Sequence, residues 1–126
     1  APKGQPNICT SHKFTQLLYL LGAVTPDIKL LQDPNTFQYS ALDWLANVDA
    51  WEVDIDSVPP QVFVERYVLA LLFLSTNGET WSQGYNFLTP TSVCDWSDDG
   101  GIKGVICDGT NVWELRMCTY GINRGT

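Results

Sequence analysis

Charge is scarce in this sequence, and positive charge scarcest. Only 17% of the residues are Asp, Glu, Lys or Arg, against about a quarter in an ordinary globular chain. Seven Lys and Arg stand against fourteen Asp and Glu, a formal net charge of −7. With no basic cluster to offset that field locally, phosphate backbones and anionic lipid surfaces are repelled, so no nucleic-acid partner is expected. Long apolar runs are missing too. The longest, residues 67–74, falls far short of the ~20 needed to cross a bilayer. No charged segment precedes an apolar one at the N-terminus, so Ala1 is expected to be a processed or engineered start rather than part of a signal peptide.

The four cysteines, Cys9, Cys94, Cys107 and Cys118, contain no CxxC pair and are accompanied by a single histidine. Structural zinc wants four closely spaced nitrogen or sulfur ligands. Two disulfides in an oxidising compartment are the simpler expectation, with three pairings open. Catalytic pairs are lacking as well. His12 opens a helix with no Asp or Cys partner at a suggestive spacing, and Asp54 and Asp56 sit two apart on an extended stretch that implies no pocket. The chain is therefore expected to be neither an enzyme nor a cofactor carrier.

What replaces charge is aromatic bulk: five Trp, five Tyr and five Phe. Such side chains are either buried or presented to a partner. Ser11 followed by Phe14, Leu17, Leu18 and Leu21 predicts a short amphipathic helix ending at Gly22. Residues 25–35 carry two prolines and predict irregular chain pinned by Ile28, Leu30 and Leu31. A second helix from about Gln38 has Ala41, Leu42, Leu45 and Val48 on its apolar stripe, widened by Trp44. The alternation at 52–56 predicts an extended linker cut off by Pro59-Pro60. Pro60 then opens a third helix running to about Ser75, apolar nearly all round, with Glu65 and Arg66 as its polar interruptions. Asn77-Gly78 ends it. Beyond that point turn-forming residues dominate, until two short strands are predicted at 104–107 and 112–117 about the Asp108-Gly109 turn.

Several blocks, in order, resemble one family. QYSALDWLAN at 38–47, ERYVLA at 65–70 and STNGETW at 75–81 are similar to the helical N-terminal cap of the leucine-rich-repeat proteins abundant in diatoms. CDW at 94–96 and GVIC at 104–107 resemble the CxWxGVxC disulfide element, also seen in plant repeat caps. Leu115, Met117 and Ile122 stand at the apolar positions of one repeat, although Tyr120 replaces the usual asparagine and 97–103 is a polar insertion. The resemblance spans roughly residues 30–126. It implies an α+β, mainly helical fold: a helical cap at about 11–76, an aromatic and disulfide loop region at 77–110, and a first repeat-like strand and turn at 111–126, together one domain. The expected pairing is Cys94–Cys107, in line with that disulfide element, leaving Cys9, which lies outside the resemblance, with Cys118.

The expected function is a non-catalytic recognition module, extracellular or at the cell surface, whose partner is protein, peptide or glycan. The alternative is a small accessory subunit of a larger complex in an oxidising organelle or thylakoid lumen. Trp81, Tyr85, Phe87 and Trp113 are the candidate interaction residues, because aromatics are enriched at interface hot spots, with core packing as the competing role. Asp95, Ser97 and Asp99, with Gly100 sixth, outline a calcium loop, but Lys103 at the ninth position and Ile106 at the twelfth leave it incomplete. No metal is expected.

Overall fold

The computed structural model describes residues 12–51, 53–81, 84–98, 103–109 and 111–116. Four helices, α1 (His12–Gly22), α2 (Lys29–Gln32), α3 (Phe37–Asp43) and α4 (Pro60–Ser75), precede an antiparallel hairpin of β1 (Gly104–Asp108) and β2 (Asn111–Arg116). Short 3-10 turns at Ile55–Ser57, Gly78–Thr80 and Val93–Asp95 punctuate the connections. The fold is thus mainly helical, with a small two-stranded sheet.

The central element is α4. Pro60 sits in its first turn, where a missing N–H costs nothing, and Asn77, just past its end, takes the left-handed conformation that asparagine tolerates. Phe63, Tyr67 and Ala70 recur at helical spacing and face an aliphatic core built from Leu17 and Leu21 of α1, Leu31 of α2, Leu42 of α3 and Leu45 of the turn that follows it. Burying each leucine contributes roughly 1.5–3 kcal/mol. Leu69, with Leu72 and Phe73, faces the opposite way into an aromatic core of Trp81, Tyr85, Phe87, Val93, Trp96 and Val105.

Three expectations for the helical half need correction. The helix expected from about Gln38 is α3, which starts at Phe37 with Thr36 Oγ1 accepting the Tyr39 N–H at 3.0 Å, but the following turn, Trp44–Val48, widens into a π turn closed by Asp49 N–H to Trp44 O at 2.8 Å. One extra residue in that turn rotates Val48 off the apolar stripe, where it is 63% exposed. The expected linker is likewise no extended strand, since Ile55–Ser57 coils into a 3-10 turn while Val53 and Ile55 pack on the aliphatic core. Ile28, expected as an anchor, is exposed, whereas Leu31 is fully buried. Ser11, expected to cap α1, lies outside the described residues.

Backbone meets backbone closely where the 96–97 segment crosses β1. Gly104 has φ +102°, and a Cβ there would fall 2.6 Å from Trp96 O and from Ser97 Cα. Only glycine fits this crossing. The preceding loop is strained differently: Tyr85, Asn86 and Leu88 all take positive φ, uncommon for bulky residues. The reward is burial of Tyr85 and Phe87, whose rings sit 6.5 and 5.4 Å from Trp81.

Candidate functional site

Polar chemistry concentrates at one buried point and one exposed one. The buried point is Arg66, which has no solvent exposure. A guanidinium in an apolar interior must be paired and fully hydrogen-bonded to be tolerated, and here four N–H bonds are made. Arg66 Nε and Nη2 donate to the two oxygens of Asp49 at 2.6 and 2.8 Å, Nη1 donates to Thr91 O at 2.6 Å, and Nη2 to Thr89 O at 3.0 Å. Three indoles enclose the cation, with ring centres 4.4 Å (Trp51), 4.8 Å (Trp96) and 5.4 Å (Trp44) from it. The π turn delivers the partner, because it ends the helix at Asp49, whose side chain is 1% exposed.

Arg66 was expected to be one of the polar interruptions of α4, not its most buried charge. The signal was present in the sequence: a lone cation within a helix apolar nearly all round, in a chain rich in tryptophan, needs a buried acid and aromatic faces. Which acid, of fourteen Asp and Glu, only the fold decides. Arg66 itself has no solvent access, so this charge acts structurally, while Trp51 at the edge of the cluster stays partly exposed. Arg66 clamps the π turn, α4 and the 89–91 chain together and leaves no room for a substrate.

The exposed point is the hairpin. Cys94 and Cys107 form a disulfide, with Cα atoms 5.6 Å apart, which fastens the Val93–Asp95 turn to β1. Such bonds persist in oxidising compartments. Cys9 and Cys118 lie outside the described residues. Pairing runs Val105 with Leu115 and Ile106 with Glu114, then slips, so that Cys107 faces Val112. Trp113 is the extra residue of that bulge, and a bulge turns its unpaired residue out of the ladder. Trp113 is accordingly 72% exposed. Glu65 Oε2, on α4, accepts the Val112 N–H at 3.1 Å, which ties the start of β2 to the helical half. Leu115 lies opposite Val105, yet it remains 36% exposed while Val105 is 2% exposed.

Of the four aromatics proposed for an interface, the structure therefore leaves only Trp113 accessible. Trp81, Tyr85 and Phe87 are each under 9% exposed, withdrawn because Leu69 and Phe73 of α4 give their rings an apolar surface to cover. The outlined calcium loop is not assembled as a described site either. Asp99 lies outside the described residues, Asp95 is exposed in a 3-10 turn, and Ser97 forms an isolated bridge with Gly104. Among the described residues, no three potential metal ligands converge. None of the described helices is long and apolar enough to cross a membrane.

Among the described residues, two groups have displaced proton affinity. Burial raises the Tyr67 phenol above its ordinary value, partly offset by a hydrogen bond with Thr25. Glu114, bonded to Arg116 at 2.9 Å, raises that guanidinium. Comparison of the chain with protein-family models, with curated proteins and with solved structures gave no match in any of the three.

Proposed function

We propose that this chain is the N-terminal helical cap of a leucine-rich-repeat scaffold, a non-catalytic module that works by recognition of protein, peptide or glycan. The observation that carries this reading is the asymmetry of the hairpin. Its inner face is covered at Val105, Cys107 and Val112 by the aromatic core, but Leu115 on the same face remains open to solvent. A strand that is covered at its start and more open at Leu115 suits the first rung of a stack, whose core is closed by the next repeat. The Cys94–Cys107 bond and the Trp96 O to Val105 N–H contact at 2.9 Å support the same reading. They join the two halves of the sequence element that resembles a repeat-cap disulfide.

The accessory-subunit reading draws on the exposure of Trp113, which would then be buried by a neighbouring chain rather than carried on a repeat surface. An intact-mass measurement on the native protein, after removal of any glycan, separates the two. A mass well above 14.1 kDa, with repeats in the added sequence, is the expected result. A mass equal to it would overturn the scaffold in favour of the subunit.

A further inference from the structure

Far along the chain from the hairpin, α1 and the segment that follows the π turn form the walls of a cleft of about 650 Å³. That size is typical of small-ligand sites, which run from about 300 to 1,000 Å³. We propose that this cleft binds a saccharide residue. Lys13 and Gln16, three apart on one face of α1, line one wall, and Trp51, Val53, Asp54 and Ile55 the other.

Trp51 is fixed before any ligand arrives. Its ring packs on the Arg66 guanidinium at 4.4 Å and tilts against Phe63 at 6.0 Å, and its backbone N–H donates to Asp49 at 3.0 Å. Trp51 is half-buried and lines the cleft together with Asp49 and Ala50, so an already ordered aromatic residue borders it at little ordering cost. The polar groups around it are uncommitted: the side chains of Lys13, Gln16 and Asp54 make no hydrogen bond or ion pair among the described residues, and Lys13 and Asp54 do not pair with each other.

The chemistry of the lining selects the ligand. Lys13 only donates, Asp54 only accepts and Gln16 does both, so the ligand must offer donors and acceptors together, plus an apolar face for Trp51, Val53 and Ile55. A pyranose ring does this, with hydroxyls that both donate and accept around C–H faces that are apolar. An apolar ligand would strand three polar groups, and an anion is opposed by Asp54 and by the chain's net charge of −7. A free amino acid without a ring, such as serine, would match Lys13 and Asp54 but would leave Trp51 uncovered.

The test is a titration of the 15N-labelled full chain with maltotriose, cellotriose, chitotriose and mannotriose, following the indole N–H signals, with serine as the zwitterionic control. At least one trisaccharide is expected to shift the Trp51 indole signal saturably with a Kd of about 1 mM. Gln16→Ala and Asp54→Ala should each weaken that binding about tenfold or more without changing the melting temperature. Asp54 is exposed and its side chain caps nothing, so the second variant keeps the fold intact. The proposal is overturned if no sugar moves the signal at about ten times that concentration, if serine alone moves it, or if both variants bind as the parent does.

Discussion

The two sides of α4 solve the same burial problem with different materials. On one side, α1, α2 and the third helix supply leucines at helical spacing, and regular backbone does the positioning. On the other, the chain from Gly78 to the hairpin has little regular structure. Rings interlock there instead: Trp81 lies within 5.3–6.5 Å of Phe73, Tyr85 and Phe87, and Phe87 lies 5.3 Å from Trp96. Aliphatic packing tolerates changes of shape by repacking. Aromatic packing fixes orientation, and each ring pair adds roughly 0.5–1.5 kcal/mol beyond its buried area. Irregular backbone can therefore be held in one conformation, left-handed Tyr85 and Leu88 included. The difference teaches that the aromatic side depends on its cross-links, Arg66 and the disulfide, more than the helical side does.

The sharpest way to break that comparison is Arg66→Ala. It strands the Asp49 carboxylate in the interior and frees the Thr89 and Thr91 carbonyls, so a loss of about 3–5 kcal/mol is expected in urea unfolding. A loss below about 1 kcal/mol would mean the two sides do not lean on this residue. Next comes the double change Cys94→Ser with Cys107→Ser. It opens a loop of sequence separation 13 and should cost about 3 kcal/mol. Hydrogen exchange should then show β1 and β2 losing protection while α1 and the third helix keep theirs. Equal loss on both sides would contradict the division.

A smaller effect concerns pH. Because burial raises the Tyr67 phenol in the folded state, the folded chain holds that proton more tightly than the unfolded one. Its contribution is complete below the unfolded value near 10 and is lost as pH rises through the higher folded value. Stability should thus fall on alkaline titration above pH 10, and Tyr67→Phe should flatten the fall. An unchanged slope would remove Tyr67 from the account. The smallest expected effect is Trp113→Ser, within about 0.5 kcal/mol in the same unfolding experiment, since this ring is 72% exposed. A larger loss would show that the outward tryptophan belongs to the core after all.

Features under local chemical control are legible in the amino-acid order alone. The run from Pro60 to Ser75, opened by a proline and closed by Asn77-Gly78, is helical because propensity, capping and apolar content agree. The hairpin follows from two short strand-forming runs about Asp108-Gly109. The tertiary structure alone decided that Asp49 partners Arg66, that a π turn swings Val48 outward, and that Trp81, Tyr85 and Phe87 turn inward while Trp113 turns out. Each depends on what another part of the chain presents at that point. A buried charge finds its counter-ion through space, a ring is buried only where a helix face awaits it, and a bulge shows itself only once two strands are set in register.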